Sequence, residues 1–507
     1  MTLAPDSRPA ARPPTLATPP TPATSDPGAR LARTVTSTSD PKTTEGSALP
    51  LPDREHVLEH AAELIAEAWR SFDHPRPGQP LPDERTRELL SRPLPTAPSD
   101  AGEALDAAAD VLDRSLAQTR PRWFAYIGSS GLEIGVLADA LMASHDVNVA
   151  NSAGAADLLE AQTIRWVGQF VGFGDNSPGL LAAGGTIANL TALTAARERA
   201  LPGVRHEGAG GRKMALYCSA EAHYSVRRAA EVLGIGGRNV RAIPIDAHRR
   251  MDVAACENAI AQDRKNGVTP VAVVATAGTT LTGAVDDIAG LADVCGDEVW
   301  LHVDGAYGLP AASTDRAGHL FTGLGRARSA TVDAHKWLYV PKACSVLLMH
   351  DVEALEHAFS HHEGYMPHGE QLHAVDRSLE YSRPARGLKL WLAFTVHGAD
   401  AIRAAIERNL NQAALLATLV EDDPRLELLV EPQLSAVCFR HLPPEGADPD
   451  AHNAALARAI AADGRILLAP AEVDEATALR ACFVNYRTTD DDVRAIPKVV
   501  ADIAGRT

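Results

Sequence analysis

Between about residues 130 and 350, helical stretches alternate with short apolar runs that are rich in β-branched residues. Four of these runs, at residues 214–219, 271–277, 299–306 and 344–349, predict strands. Because enough chain separates the runs to form helices, the strands are expected to lie parallel with helices covering the sheet. The alternation therefore predicts an α/β fold with a mostly parallel central sheet in a large domain.

The N-terminal part of the chain has a different composition. Residues 1–50 contain ten prolines among Thr, Ser and Ala and few large apolar residues, which predicts a disordered tail. Residues 51–125 predict an N-terminal helical arm, with helices from about residue 54 and near 101–117. A Pro-rich link at 74–98 joins these two helices.

The C-terminal part mixes helices with short strands. A helix at 385–420 precedes strands at 436–440 and 481–486, which predicts a small α+β C-terminal domain at 396–507 and leaves 126–395 to the large domain. With 507 residues, the chain is long enough for two or three such units.

The composition excludes several classes of partner. A formal net charge of -17 repels nucleic-acid backbones and anionic lipid, and no Lys/Arg cluster reverses this locally. No run of about 18 apolar residues exists to cross a bilayer, so a soluble protein without a membrane partner is expected. The six cysteines include no Cys-x-x-Cys pair, and most lie in apolar segments. Buried, reduced thiols of this kind predict a cytoplasmic protein.

A lysine with unusual neighbours lies in Thr-Val-Asp-Ala-His-Lys-Trp at 331–337. If Trp337, Leu338 and Val340 enclose Lys336, burial disfavours the charged amine and makes it nucleophilic. Taken alone, the pattern is weak, because most lysines beside a tryptophan lie at the surface with only their stems covered.

Two further segments could bind charged groups at the sheet edge. Asp304 ends the apolar run at 301–304, where a buried carboxylate needs a cationic partner such as a protonated pyridine nitrogen. Gly184, Gly185 and Thr186 open a helix, whose free N–H groups and positive dipole end can cradle a phosphate. Each segment has an ordinary alternative, a capping aspartate or a Gly-Gly-Thr turn.

His223 follows a predicted strand and precedes a predicted helix. An imidazole in this position can stack on a flat ring and titrate near neutral pH, although a lone histidine is more often structural. Along the chain the order is phosphate cradle, His223, Asp304 and Lys336, each at a strand end of one predicted sheet. Together these four elements favour a site for pyridoxal 5′-phosphate (PLP).

The wording of these segments resembles the group II PLP-dependent amino acid decarboxylases, which include aromatic-L-amino-acid, tyrosine, histidine and glutamate decarboxylases. The resemblance covers about residues 54–500. It is carried by eight segments, at residues 121–126, 184–189, 222–226, 276–280, 303–306, 335–337, 386–391 and 479–485. It implies PLP-dependent fold type I, with 126–395 as the PLP-binding domain, and a homodimer whose active site lies at the subunit interface.

The resemblance also implies roles for individual residues. Lys336 would carry PLP as a Schiff base, Asp304 would pair with the pyridine nitrogen, and His223 would stack on the ring as a base. The other implied contacts are Gly185, Thr186 and His335 at the phosphate, Thr280 near the ring substituents and Ala306 behind the ring.

Three positions depart from the family pattern and leave the substrate open. Asp333 replaces an asparagine that many relatives carry three residues before the lysine, and an anion there would sit awkwardly beside a phosphate, so no ligand role is assigned to it. Arg120 replaces the usual histidine before the early proline, and Ala-Gly-Ala at 153–155 replaces a familiar Ser-Pro-Ala.

The predicted substrate is an aromatic L-amino acid, with an acidic one as the alternative. Trp123, Phe124 and Tyr126 lie in the segment that lines the substrate pocket of relatives, and an aromatic-lined cleft favours apolar or aromatic side chains. Arg120 and Arg122 lie in the same segment and keep glutamate-like or aspartate-like substrates open.

The predicted reaction is decarboxylation with release of an amine. Tyr365 lies about where decarboxylating relatives carry a mobile-loop tyrosine that protonates the product carbon, whereas relatives with Phe there tend toward aldehydes. The surrounding segment includes five potential metal ligands but lacks HExxH spacing, so a polar lid is favoured and no metal is expected: His361, His362, Glu363, His368 and His373. The alternatives are a PLP-dependent aminotransferase, an aldehyde synthase and a non-catalytic PLP-binding protein.

Overall fold

The computed structural model of the protein describes residues 51, 53–76, 78, 80–151, 153–361 and 373–506, and a seven-stranded sheet lies in the middle of this part of the chain. Its strands are β1 (Gly179–Ala182), β2 (Met214–Ser219), β3 (Val240–Ile243), β4 (Thr269–Thr276), β5 (Trp300–Asp304), β6 (Ser329–Val332) and β7 (Ser345–Met349). The order is β1-β7-β6-β5-β4-β2-β3, and β7 runs antiparallel to both neighbours while the other pairs are parallel. The predicted α/β fold with a mostly parallel sheet is confirmed.

The sheet is buried on both faces, as expected for parallel strands between helices. In β4, Val273 and Ala275 belong to one apolar cluster, and Ala272 and Val274 belong to the cluster on the opposite face. This alternation follows from the two-residue period of a strand. The helices of this region are α4 (Glu133–His145), α5 (Ala155–Val171), α6 (Gly185–Ala200), α7 (Val204–Glu207), α8 (Ser225–Val232), α9 (Val253–Lys265), α10 (Ile288–Cys295), α11 (Ala334–Trp337) and α12 (Glu353–Phe359).

Three helices precede this region: α1 (Arg54–Phe72), α2 (Glu84–Leu90) and α3 (Ala101–Asp113). The predicted helices at both ends of the arm are present. The link between them was predicted without secondary structure, which is wrong for α2. Asp83 caps α2, because its carboxylate accepts a hydrogen bond from the backbone N–H of Thr86 at 2.9 Å.

The C-terminal region has its own sheet. It contains the helices α13 (Gly387–Glu421), α14 (Pro449–Asp463) and α15 (Asp490–Ala504) and the antiparallel strands β8 (Leu426–Val430), β9 (Ala436–His441), β10 (Ala469–Val473) and β11 (Ala476–Cys482). The strand predicted at 481–486 was misplaced, since it begins at Ala476 and ends at Cys482. Beyond Cys482 the chain leaves the ladder, and the Asn485 side chain donates to the backbone carbonyls of Thr119 and Arg120.

An N-terminal segment extends this C-terminal sheet. The Phe124 N–H donates to the Leu467 carbonyl at 3.0 Å, and the Cys482 N–H donates to the Phe124 carbonyl at 2.9 Å. The Phe124 ring is fully buried and lies 5.3 Å from the Phe483 ring, centre to centre. Phe124 is therefore a core residue, which overturns its predicted place in the substrate pocket.

Helix α13 breaks near the predicted start of the small domain. Gly398 has a φ of 77° and a non-helical ψ, so two helical segments meet there. Glycine tolerates this left-handed region without the clash that a Cβ would cause. The break lies two residues after position 396, and the domain boundaries stay a prediction.

Two general features concern the whole described chain. No helix among the described residues is both long and apolar enough to cross a membrane. All six cysteines are described, buried and free of disulfides, and burial raises the pKa of thiols such as Cys218 and Cys344 to about 12.

Candidate active site

The loops that follow the strands of the large sheet enclose a cavity of about 230 Å³. Parallel strands place their carboxyl ends at one sheet edge, which is where ligands bind in such folds. The residues that line the cavity are Gly184, Gly185, Thr186, Asn189, His223, Ser225, Thr276, Gly278, Thr280, Asp304, Ala306, Tyr307, Asp333, His335 and Lys336. The structure thus brings all eight predicted cofactor contacts to one cavity.

Lys336 lies in the short helix α11, just after β6. Its Nζ is 2.9 Å from Asp333 Oδ2, and its side chain retains 24% exposure. Trp337, Leu338 and Val340 are fully buried in the core instead of surrounding the amine. The predicted apolar enclosure of Lys336 is therefore wrong, because these neighbours face the core while Lys336 faces the cavity.

Asp333 is buried, with 3% of its surface exposed. It accepts a short hydrogen bond from the Ser345 hydroxyl in addition to the ion pair with Lys336. A Cβ added to Gly185 would lie 2.9 Å from both carboxylate oxygens of Asp333. Only glycine at 185 therefore allows Asp333 to approach the start of α6 this closely.

The start of α6 has the arrangement predicted for a phosphate cradle. The first backbone donor inside the helix is the Ile187 N–H, which bonds to the Gly184 carbonyl at 2.9 Å. The amides of Gly185 and Thr186 come before it, where a helix has donors without a helical partner. These amides and the positive end of the helix dipole favour an anion.

Asp304 ends β5 and is 6% exposed. Its carboxylate accepts hydrogen bonds from the Asn189 amide at 2.8 Å and from the Ala306 N–H at 3.2 Å. Both donors are neutral, and Asp304 forms no ion pair with any described residue. A buried carboxylate that faces a cavity without a cation fits the protonated pyridine nitrogen of PLP.

His223 lies between β2 and α8, with its Nδ1 2.9 Å from the Ser225 hydroxyl. Burial lowers its pKa, while Asp304 raises it and Lys336 lowers it to smaller extents. The predicted helix after His223 is present as α8, which ends at Val232, and Gly234 beyond it adopts a left-handed φ of 72°.

A group of polar residues behind Asp304 was not predicted from the sequence. His302 is fully buried, with one ring nitrogen 3.0 Å from Asn189 Oδ1 and the other 2.8 Å from Ser329 Oγ. Burial lowers the pKa of His302 to about 4. A usable signal existed, because residues two apart on a strand face the same side, so His302 shares a face with Asp304.

Several predicted residues lie elsewhere. Arg120 donates to the Ser71 carbonyl at 2.8 Å, and Arg122 pairs with Asp492 at 2.8 Å. Tyr365 lies outside the described residues, as do His362, Glu363 and His368 of the predicted lid. In the part of the chain that the structure describes, no three potential ligands are grouped to hold a metal.

A mostly parallel sheet of this order, with a lysine and a buried carboxylate beyond neighbouring strands of one cavity, defines a PLP-dependent enzyme of fold type I. The chain belongs to the pyridoxal-dependent decarboxylase family, whose conserved domain matches residues 83–442. It is therefore a PLP-dependent amino acid decarboxylase, as the resemblance implied. The match favours decarboxylation over the aminotransferase and non-catalytic alternatives.

Relatives span more than one substrate class. The chain is 33% identical over 456 residues to an aromatic-L-amino-acid decarboxylase from Bacillus atrophaeus, covering 88% of this chain and 94% of that protein. It is 30% identical to an L-aspartate decarboxylase from Metarhizium robertsii, covering 72% and 75%. The crystal structure of Oryza sativa TDC with PLP and tryptamine has a TM-score of 0.84 at 24% identity, covering 91% of this chain and 99% of that one, which shows the shared fold.

Proposed function

We propose that the protein converts an aromatic L-amino acid to the corresponding amine and CO2. PLP, when bound, withdraws electrons from the substrate's Cα as the carboxylate leaves. In this proposal Lys336 holds the cofactor covalently, Asp304 pairs with the pyridine nitrogen and His223 lies against the ring. The remaining contacts are Gly185, Thr186 and His335 at the phosphate, Thr280 at the ring substituents and Ala306 behind the ring.

The observation that carries the choice of substrate is the state of the nearby arginines. Arg122 is paired with Asp492, and Arg120 donates to a carbonyl and lies over the Phe72 ring at 5.1 Å. Among the described residues that line the cavity, none is an arginine. An acidic side chain would therefore lack the bidentate partner that it needs in a dry site.

The position of the aromatic segment supports the same choice. Arg480 donates to the Thr280 carbonyl at 2.6 Å and to the Ala125 carbonyl at 2.9 Å, so this segment lies at the Thr280 edge of the cavity. Trp123 and Tyr126 belong to this segment and form an aromatic pair with ring centres 6.1 Å apart, outside the residues that line the cavity. Flat apolar rings reward aromatic substrates.

A competition assay tests the substrate class. The holoenzyme receives tyrosine, tryptophan, phenylalanine, glutamate and aspartate together, and each amine is quantified over time. We expect faster amine formation from the three aromatic substrates. Preferential loss of glutamate or aspartate would instead place this chain with its acidic-substrate relatives.

Tyr365→Phe tests whether the product is an amine. If the Tyr365 hydroxyl delivers the proton that replaces CO2, its loss slows protonation by about a hundredfold and lets oxygen divert the reaction. Amine should then give way to aldehyde, ammonia and peroxide while PLP and substrate still bind. Substrate depletion, amine and aldehyde are measured together. An unchanged amine yield and rate would remove Tyr365 from the mechanism and leave the proton donor unassigned.

We also propose a cytoplasmic homodimer with the active site at the subunit interface. Six buried free thiols support a reducing compartment. Helices α1 and α3 contain no buried residue, and Leu58 and Leu112 on them are 70% and 69% exposed. Exposed apolar side chains on such amphipathic helices are expected to be covered by a partner subunit. Light scattering coupled to gel filtration should give twice the chain mass of 53.6 kDa, and a monomer that retains full activity would exclude the shared site.

A further inference from the structure

A continuous hydrogen-bond network begins at the cavity wall and extends into the core, and Asn189 lies at its branch point. The Asn189 side chain contacts three other side chains. Its Nδ2 lies 2.8 Å from Asp304 Oδ2 and 3.1 Å from Ser225 Oγ, and its Oδ1 lies 3.0 Å from His302 Nε2. Asn189 is 1% exposed, and His302 and Ser225 are equally buried. Every group in this network must therefore find its partner inside the protein.

The directions of these hydrogen bonds follow from the carboxylate. Asp304 only accepts, so the Asn189 amide nitrogen must face it and the amide oxygen must face His302. That oxygen also only accepts, so His302 carries its proton on Nε2. Its Nδ1 then accepts from the Ser329 hydroxyl at 2.8 Å, and Ser329 accepts from the Trp300 indole N–H at 2.8 Å. The direction of each hydrogen bond in this branch, from Asp304 to Trp300, is therefore fixed.

The second branch ends at His223. Ser225 Oγ accepts a hydrogen bond from the Asn189 amide, so its own proton is free to be donated to His223 Nδ1 at 2.9 Å. The backbone N–H of Ser225 approaches the same nitrogen at 3.3 Å. Because two donors meet at Nδ1, the single proton of a neutral ring must sit on Nε2.

We propose that Asn189 and Ser225 are positioning residues that hold His223 as a neutral imidazole with its proton on Nε2. In this form His223 donates a hydrogen bond into the cavity and is not the acid that completes the reaction. The bond between Cα and the carboxylate breaks, the electron pair stays with Cα, and the proton that replaces CO2 comes from another group. The inference rests on the proposed placement of His223 beside the cofactor ring.

Burial is the main effect that lowers the pKa of His223, and the charged groups around the ring oppose one another, so the hydrogen bonds at Nδ1 decide which ring nitrogen carries the proton. Asp304 at the end of β5 and Asp333 before α11 favour the charged ring, whereas Lys336 on α11 and Arg228 on α8 disfavour it. The backbone N–H of Ser225 cannot turn to accept a proton from Nδ1. A protonated His223 would therefore face at least one donor without an acceptor.

Ser225→Ala and Ser225→Thr test the positioning role without requiring turnover. Carbethoxylation of His223 by diethylpyrocarbonate is followed in the holoenzyme at different pH values, with peptide mass spectrometry reporting on that residue alone. We expect slow modification of the wild type, with a midpoint below the ordinary histidine pKa of about 6.5. Loss of the hydroxyl donor in Ser225→Ala should raise the midpoint by about one pH unit and speed modification, and Ser225→Thr should restore wild-type behaviour. Equal midpoints in all three proteins would overturn the proposal.

His223→Gln and His223→Asn test the second part. The amide nitrogen of Gln occupies the position of Nε2–H but cannot deliver a proton, whereas that of Asn occupies the position of Nδ1. We expect His223→Gln to lower kcat less than His223→Asn does and to keep the wild-type ratio of amine to aldehyde. A hundredfold loss of amine with a rise in aldehyde in both variants would make His223 the acid. The labelling result is independent of which amino acid is the substrate, so it stands or fails separately from the proposed function.

Discussion

The part of the cavity around Asp304 and the part around Lys336 differ in how their polar groups are paired. On one side, Asp304 is buried among neutral donors whose directions are all fixed, and the network extends to Trp300 deep in the sheet. On the other side, Lys336 and Asp333 form an ion pair at 2.9 Å, and Lys336 remains partly exposed. The first side is built to stay unchanged, and the second is built from groups that can exchange partners.

This difference shows which properties of the site are fixed before a ligand binds. A fully paired neutral network in a low-dielectric region holds one arrangement of protons, because any change leaves a group unsatisfied. An ion pair between a mobile lysine and a carboxylate can open when a ligand offers the amine a covalent partner. Variants on each side should therefore fail in different ways.

Lys336→Ala should have the largest effect, because it removes the group that binds PLP covalently. The purified variant should lose the yellow colour of the wild type, and kcat should fall by about a thousandfold or more. Absorbance spectra and amine formation provide the measurement. Lys342→Ala is the matched control, since this nearby lysine donates to Gln118 at 2.8 Å and should keep both colour and activity. Borohydride labelling of a lysine other than Lys336 would refute the assignment.

Asp304→Asn should disturb the fixed hydrogen-bond network and lower turnover. Without the charge of Asp304, the pyridine nitrogen loses a charge-assisted contact worth about 3 kcal/mol, so turnover should fall by roughly a hundredfold. The control is Asp286→Asn, another buried carboxylate, which lies between β4 and α10 and outside the cavity lining, and whose pKa burial raises to about 6. This control should lower stability but leave kcat within a few-fold. Near-normal kcat in Asp304→Asn would separate Asp304 from the chemistry.

Asp333→Asn should change the ion pair with Lys336 and so affect PLP binding. Its carboxylate competes for the Lys336 amine and lies against Gly185, where a phosphate is expected, so removing the charge should tighten PLP binding by about tenfold. Titration of the apoprotein with PLP, followed by absorbance, gives the dissociation constant. Ser345→Ala removes only the hydrogen bond to Asp333 and should change the constant far less. Weaker PLP binding by Asp333→Asn would mean that the carboxylate supports the cofactor.

His302→Gln should have the smallest effect and should show only at acidic pH. The folded pKa of His302 is about 4 against an ordinary 6.5, so the unfolded chain binds more protons between these values. Stability is thus fully present above pH 6.5 and is lost as pH falls toward 4. Between pH 7 and pH 5, the wild type should lose about 2 kcal/mol more unfolding free energy than the variant.

Urea unfolding at fixed protein concentration measures this difference, and every other titrating group cancels between the two proteins. The exposed residue His248 offers the control, because His248→Gln should follow the wild type at both pH values. Parallel curves for the wild type and His302→Gln would show that His302 is not held neutral.

Much of the fold could be predicted because long apolar runs identify buried strands. The strands β2, β4, β5 and β7 were found in this way, whereas β1, β3 and β6 were missed because each has only four residues. The antiparallel direction of β7 depends on which strands it pairs with, and pairing cannot be read from a local pattern. Phe124 was misplaced for a similar reason, since an aromatic residue suits a pocket and a core equally well.

The cavity residues could be predicted because they lie in the motifs that carry the family resemblance, but the hydrogen-bond network that connects them could not. Asn189 and Ser225 lie inside the motifs that carried the resemblance, yet nothing local indicates that they contact each other at 3.1 Å. Ser329 lies opposite His302 in the register of β5 and β6, and that register exists only in the folded sheet. Positions were thus predictable, and the partners of each side chain were not.

The hydrogen bonds between residues 122–125 and the C-terminal sheet affect how the chain folds while it is being synthesised. Arg480 reaches the Ala125 carbonyl across 355 positions of sequence. At ordinary rates of protein synthesis, roughly 20–70 s pass between the emergence of these two residues from the ribosome. Throughout this interval the apolar Phe124 has no finished core to enter, and it becomes a target for chaperones. The C-terminal sheet is synthesised last, but a segment that is synthesised early completes it. A chain that ends before β11 therefore leaves the sheet incomplete and residues 122–125 without their hydrogen-bond partners.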